Sequence, residues 1–127
     1  MRKQYHLRRR DRGFDAWDVD RLIELSDGAE VNHVALASIA EIDSVYWFGD
    51  GGEQPTVRNV VQHIRLIRET DLSHPIILDA DGRVMDGMHR IARALLEGRT
   101  HIAAVQFDVH PEPDYRDCDP AELPYGR

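Results

Sequence analysis

The segment from residue 74 to residue 98 constrains the fold most, because it changes within a few residues from a strand pattern to a helix pattern. Residues 74–79 form a short apolar run typical of a buried strand, Asp81-Gly82 predicts a tight turn, and residues 83–85 return as a second strand. A helix follows at once, and Gly98 is placed to end it. Its predicted core face consists of Met88, Ile91, Ala92 and Leu95.

Hydrophobic periodicity predicts four further elements around this segment. Helices are expected over residues 15–26 and 56–71, where apolar residues recur at spacings of three and four. Alternating strands are expected over residues 31–39 and 102–107. Residues 44–55 start apolar and aromatic and run into a glycine-rich loop. We therefore expect an α/β (α+β) single domain, a small mixed sheet flanked by helices.

Length and composition place the chain in the soluble globular class. Its 127 residues suffice for one domain, and 42% hydrophobic with 31% charged residues are ordinary proportions. The sequence has no apolar run near the ~18 residues of a membrane span and no secretory signal. Cys118 is the only cysteine, which excludes an internal disulfide and a cysteine-based zinc cluster. We expect a cytoplasmic protein without a membrane partner.

Charge is distributed unevenly, although the net charge of −7 argues against broad duplex binding. Residues 1–14 form a basic N-terminal arm, and residues 108–127 form an acidic, proline-rich tail expected to lack regular structure. Between them lies the predicted domain, residues 15–107. Two interpretations stay open: solvated tails that pair with each other, or an arm that binds nucleic acid.

The turn before the third predicted helix carries the candidate chemistry. A helix start exposes unpaired backbone N–H groups and the positive end of the helix dipole, so it attracts anions. Asp86 is expected at the N-cap, and Gly87 lets a phosphate approach the backbone closely. Arg90 and Arg93 lie one turn into the helix, and His89 adds a donor or a titratable group. The alternatives are a plain helix cap and an ordinary surface histidine.

Residues 74–98 also resemble the signature of the ParB/sulfiredoxin superfamily. That signature is a strand and turn, a Gly-x-(His or Arg)-Arg box that opens a helix with small residues, then a glycine and a strand; Gly87-Met-His-Arg90 matches the box. Residues 34–39 resemble the first box of the fold and residues 56–70 its middle helix, so the likeness covers residues 31–107.

The resemblance implies a nucleoside triphosphate whose phosphates rest on the Gly87–Arg90 turn, with Met88 inside that turn and Mg²⁺ accompanying the phosphates. Sulfiredoxins carry a catalytic cysteine between the glycine and the histidine of the box, where this chain has Met88. Partition proteins of the ParB type continue into DNA-binding and dimerisation domains, whereas only residues 108–127 follow here. The sequence therefore argues against both activities.

Among the relatives that remain, free amino-acid kinases of this fold are nearest by motif. Their box resembles Asp-Gly-His-His-Arg, which Asp86, His89 and Arg90 match while Met88 replaces the first histidine. These kinases use an acidic residue after the first strand as general base, and Glu41 lies in the corresponding stretch with Asp43 as its rival. A carboxylate there suits phosphoryl transfer, which needs an acceptor for the hydroxyl proton. Glu41 as a solvated loop acid is the alternative.

Residues of the middle helix and the aromatic segment complete the candidate site. In this fold the middle helix lies beside the nucleotide, which makes Thr56, Arg58 and His63 candidate contacts. Residues 46–48 could form an aromatic wall or lid, or could pack in the core. No histidine pair has zinc-ligand spacing on a predicted helix, so no structural zinc site is expected.

Two classes of function follow from these residues. The first is a Mg²⁺-dependent phosphotransferase or nucleotide hydrolase using ATP or ADP and an unidentified small-molecule acceptor, with Glu41, Asp86 and His89 as catalytic residues. The second is a nucleotide-sensing or partner-binding regulatory module without catalysis. The sequence does not determine the acceptor, the nucleobase or the oligomeric state.

Overall fold

A computed structural model describes residues 3–49 and 52–126. Its helices and strands are, in chain order, β1 (Tyr5–Arg10), β2 (Gly13–Asp18), α1 (Val19–Ser26), β3 (Asn32–Ala35), α2 (Val57–Glu69), β4 (Ile76–Leu78), β5 (Val84–Asp86), α3 (Met88–Leu96), β6 (His101–Gln106) and β7 (Tyr115–Cys118). Short 3-10 helices cover Leu36–Ser38, Ala40–Asp43 and Pro120–Glu122. Within the described residues, no helix has the length and apolarity needed to cross a membrane.

A four-stranded mixed sheet in the order β3-β6-β4-β5 forms the centre of the fold. Strands β4 and β6 run parallel, with Ile76 opposite Ala104, and the other neighbours are antiparallel. Helix α3 packs against this sheet through Met88, Ile91 and Ala94, which are buried. The predicted α+β class with a small mixed sheet and helices is confirmed. The predicted core face of α3 is partly wrong, since Leu95 is half exposed.

A second sheet, in the order β1-β2-β7, is built largely from the two charged termini. The prediction of a helix over residues 15–26 is wrong in its first part, because residues 13–18 form strand β2 and the helix begins at Val19. Asp18 caps that helix by accepting the backbone N–H of Asp20 at 2.9 Å. The strand is central in its sheet and buries Asp15, Ala16 and Trp17, and this pairing overrides the helical spacing.

The expectation that residues 108–127 lack regular structure is also wrong. Strand β7 pairs with β2, the backbone N–H of Asp114 donates to Ala16 O at 2.8 Å, and the indole of Trp17 donates to Pro111 O at 2.8 Å. Strand β1 pairs with the other edge of β2, so the arm and the tail share one sheet rather than extending into solvent. Arg2 and Arg127 of these termini, and Asp50 and Gly51 of the predicted loop, lie outside the described residues.

The predicted middle helix is confirmed as α2, which Thr56 caps by accepting the backbone N–H of Asn59 at 3.1 Å. None of its residues is fully buried, and Val57 at the start of its apolar stripe is 82% exposed. The helix contacts α3 and uses His63 and Ile67, which are half-buried, on its inner side. Most of the apolar stripe that predicted the helix is therefore exposed, namely Val57, Val60, Val61 and Ile64, and Ile67 is its half-buried member.

Candidate functional site

The turn between β5 and α3 depends on Gly87. This residue is left-handed with φ of 109°, and its carbonyl accepts the first helical hydrogen bond, from Ile91 N at 3.0 Å. A Cβ placed on it would lie 2.6 Å from Cγ2 of Ile76 and 3.0 Å from Nη2 of Arg90. Both the backbone angle and the lack of space therefore require glycine.

The start of α3 has free hydrogen-bond donors. Its N-cap is Gly87, which has no side chain to accept them, and the backbone N–H groups of Met88, His89 and Arg90 find no acceptor among the described residues. Such groups carry the positive end of the helix dipole, equivalent to about half a charge. An anion at this position would satisfy donors that the protein leaves open.

Asp86 is not the N-cap that the sequence predicted. Because Gly87 takes the cap position, the Asp86 carboxylate accepts a hydrogen bond from Nη2 of Arg90 at 2.8 Å instead. Nη1 of Arg90 also donates to the backbone carbonyl of His74, at 3.3 Å. The side chain of Asp86 is 22% exposed and that of Arg90 is 14% exposed, so a partly buried ion pair holds Arg90 beside the helix start.

Arg93, predicted to reach the phosphates, is directed elsewhere. Its guanidinium donates to the backbone carbonyls of Arg68 and Thr70 at the end of α2, and its Nε donates to Glu97 at 3.0 Å. These carbonyls carry the negative end of the α2 dipole and have no further helical partner. Arg93 therefore joins the end of α2 to α3.

We expect Arg93→Met to lower the free energy of unfolding by roughly 1.5–3 kcal/mol, the usual contribution of hydrogen bonds from a charged group, and to leave any nucleotide affinity unchanged. Chemical denaturation and calorimetric titration measure the two quantities. Arg65→Met is the matched control, because Arg65 is exposed on α2. A selective loss of nucleotide affinity in Arg93→Met would instead indicate that Arg93 contacts the phosphates, as the sequence predicted.

His89 belongs to a stacked aromatic group that the sequence did not predict. Its Nε2 lies 2.8 Å from Nδ1 of His63, whose Nε2 lies 3.2 Å from Oε1 of Glu53. Trp47 stacks on both imidazoles, at ring-centroid distances of 4.4 Å for His63 and 4.7 Å for His89. Burial, with the neighbouring His63, lowers the pKa of His89 to about 4, so this ring is neutral at physiological pH.

Glu41 lies close to the turn along strand β5. Its Oε2 accepts the backbone N–H of Val84 at 2.8 Å, two residues before Asp86 on the same strand. Glu41 lines a cavity of about 1170 Å³ together with Tyr46 and Trp47. Burial and the charge of Glu41 raise the pKa of Tyr46 to about 12, so its hydroxyl keeps its proton. Asp43, the rival of Glu41, is exposed.

The structure brings some of the predicted residues together and leaves others apart. Asp86 and Arg90 line a separate cavity of about 830 Å³, together with Lys3 and Pro124 of the terminal segments. Thr56 uses its hydroxyl to cap α2, and Arg58 is exposed, with no ion pair in the described part of the chain. Of the predicted contacts from the middle helix, His63 is the one that reaches the turn, through His89.

A second polar cluster, missed from the sequence, surrounds Asp79 at the end of β4. Asp79 is fully buried, and its Oδ1 accepts the backbone N–H groups of Asp81 and Arg83, each at 2.9 Å. Its Oδ2 lies 2.8 Å from Nη2 of Arg8, at ion-pair distance although without hydrogen-bond alignment. An acid directly after a buried strand, in Asp-Ala-Asp-Gly, was the available signal.

The same cluster has ligand atoms spaced for a metal ion. Atoms of Asp79, Asp81 and His110 lie within 4.8 Å of one another. The Arg8 guanidinium already neutralises Asp79, however, and a divalent cation would have to compete with it at that oxygen. The geometry of this cluster therefore favours a structural ion pair.

Comparison with known proteins finds no protein family, no curated protein and no solved structure that matches this chain. The likeness to the ParB/sulfiredoxin superfamily thus stays an expectation from the residues of the 86–90 box.

Proposed function

We propose that this protein binds a nucleotide, with its phosphates at the start of α3, and acts as a small Mg²⁺-dependent phosphotransferase or nucleotide hydrolase that uses ATP or ADP. The observation that carries the proposal is the uncapped helix start behind the left-handed Gly87. Three free N–H groups at that position, with the side chain of Arg90 beside them, form a site for a phosphate group. The ParB/sulfiredoxin likeness of the same residues supports this ligand.

The two acids near the turn have the chemistry that phosphoryl transfer requires. Glu41 uses one carboxylate oxygen on Val84 N and keeps the other for a substrate hydroxyl or a water, so it is the candidate general base. Asp86 fixes Arg90 in place at the helix start. The two acids therefore have different roles in this proposal: Glu41 accepts a proton, and Asp86 holds the guanidinium of Arg90.

Mg²⁺ fits this site only as a companion of the phosphates. It prefers oxygen ligands and commonly binds through one or two carboxylates plus phosphate oxygens and water. Asp86 is the residue that would hold it, through the carboxylate oxygen that is not hydrogen-bonded to Arg90. When bound, the ion would neutralise charge on the transferred phosphoryl group.

An aromatic wall beside Glu41 gives the nucleobase a place. Tyr46 and Trp47 line the same cavity as Glu41, and their rings meet edge to face at 6.5 Å. Aromatic faces bind flat bases of either kind by stacking, which leaves the base specificity open. ATP and ADP are the ligands that the motif likeness favours.

The experiment that tests this function combines binding and turnover. Wild-type protein with Mg²⁺ is expected to bind ATP or ADP in calorimetry and to release phosphate, or to transfer it to a hydroxyl acceptor. Glu41→Gln should retain binding and lower turnover by roughly 10²–10⁴-fold, the usual contribution of a general base. Asp43→Asn is the matched control, since Asp43 lies on the same 3-10 helix and is exposed. Absence of nucleotide binding would rule the proposal out.

The second candidate function is a nucleotide-sensing or partner-binding regulator without turnover. It is favoured by the internal hydrogen bonds of Arg90 and Arg93, which leave few cations to neutralise a transferred phosphoryl group. Binding without product over hours, unchanged by Glu41→Gln, would select this function. A nucleic-acid role for the arm has less support, because Arg8 and Arg10 are paired with Asp79 and Asp15.

A further inference from the structure

A chain of three side chains leads from the glycine-rich loop to the start of α3. Glu53 lies on the loop, where it forms a bridge with Phe48, and its carboxylate contacts His63 of α2. His63 in turn contacts His89, the second residue of α3. The line Glu53–His63–His89 thus joins three separate elements through two hydrogen bonds of 3.2 and 2.8 Å.

The chemistry of these groups determines where the protons are. A neutral imidazole carries one N–H, on either Nδ1 or Nε2, and its other nitrogen is an acceptor. A carboxylate only accepts, so the proton of His63 lies on Nε2, facing Glu53, and its Nδ1 is an acceptor. His89 must then donate from Nε2, which leaves the lone pair on its own Nδ1.

The stacking holds both rings in this orientation. Trp47 lies within 20° of parallel to each imidazole, at interplanar angles of 19° and 16°, and Phe48 meets His63 edge to face at 5.4 Å. A rotation of either ring would break these contacts together with the hydrogen bond between the histidines. Nδ1 of His89 has no hydrogen-bond partner in the residues that the structure describes.

We propose that Glu53 and His63 are positioning residues that present His89 Nδ1 as an unprotonated acceptor for a hydroxyl or amino group of the ligand bound at the start of α3. The ligand part rests on the proposed function. A lone pair repels phosphate oxygens, so the imidazole of His89 does not donate a hydrogen bond to the phosphate, although its backbone N–H does. Its role is to recognise the donor group that lies beside the phosphate.

The arrangement of protons is tested first, without any ligand, by imidazole ¹⁵N NMR of the full chain at pH 8. We expect His89 to show a protonated Nε2 and an unprotonated Nδ1. In Glu53→Ala this preference should weaken to a mixture of tautomers, because nothing then fixes the proton of His63. Gln54→Ala changes the neighbouring loop residue and should behave as wild type. A protonated Nδ1 in wild type, or an unchanged His89 in Glu53→Ala, would overturn the proposal.

The ligand part is tested with Mg²⁺–ADP. Binding should shift the ¹⁵N resonance of His89 Nδ1 in wild type. Glu53→Ala should lower the affinity for ADP about tenfold, the equivalent of one hydrogen bond. Equal ADP affinity in both proteins would overturn the recognition role. If ADP does not bind at all, the proposed function fails, whereas the tautomer measurement still decides on the positioning role by itself.

Discussion

Gly87→Ala is expected to lower the free energy of unfolding by roughly 2–5 kcal/mol and to abolish the proposed nucleotide binding. The left-handed conformation costs an alanine about 1–2 kcal/mol, and forcing a methyl group into a filled space costs about 1–3 kcal/mol more. The space is filled by Ile76 at 2.6 Å and by Arg90 at 3.0 Å, so relief would move the helix start itself. Chemical denaturation and calorimetry measure the two effects.

Gly98→Ala is the matched control for that variant. Gly98 lies at the other end of α3, also with a positive φ of 75°, but a Cβ there would have nothing within 4 Å. This variant should lower the free energy of unfolding only by the conformational part, about 1–2 kcal/mol, and should leave the proposed nucleotide binding unchanged. Equal losses in the two variants would show that the close contact with Ile76 is unimportant.

Asp79→Ala is expected to cost about 3–5 kcal/mol, because it leaves the Arg8 guanidinium partly buried without its counter-ion. Arg8 is 14% exposed, and two backbone N–H groups of the following turn also lose their acceptor. Chemical denaturation of Asp79→Ala, of Arg8→Met and of the double variant that combines them completes a double-mutant cycle. The double variant should be less destabilised than the sum of the single ones, and simple additivity would contradict a coupled pair.

The pair of Arg8 and Asp79 also predicts that the free energy of unfolding decreases at acid pH. Burial raises the pKa of Asp79, but the hydrogen bond from Arg83 N and the Arg8 guanidinium lower it more, so it falls below its ordinary 3.8. A lowered folded-state pKa adds stability above the unfolded value and loses it as the pH falls through the folded one. The difference between wild type and Asp79→Asn should therefore be constant above about pH 5 and shrink below 3.8.

Local patterns in the sequence were sufficient for the segment around the candidate site. The strand, turn, strand and helix of residues 74–98 appear as β4, β5 and α3, and the middle helix appears as α2. In these segments the apolar spacing or run, the turn residues and the helix boundaries all agree, so neighbours in the chain already specify the local conformation. The sequence predicted Gly87 at the helix start as a point of close approach for a phosphate, whereas its left-handed conformation and its N-cap position appear only in the structure.

The charged termini show where such patterns fail. Residues 5–10 carry three successive arginines and suggested a solvated arm, yet they form an edge strand whose Arg8 reaches the buried Asp79. The partner is 71 positions away in the sequence, so no local pattern indicates it. Helical spacing over residues 15–18 was overridden in the same way, by pairing with β1 on one side and β7 on the other.

The sequence by itself determined that Gly87 opens a helix after a strand, and hence that an anion could bind there. Only the tertiary structure decided what the side chains near that position contact. Arg90 pairs with Asp86, and Arg93 donates to carbonyls at the end of α2. His89 contacts His63, which in turn contacts Glu53. The physical reason is that backbone conformation depends mainly on near neighbours. Hydrogen bonds of long side chains depend on whichever distant groups packing brings within about 3 Å.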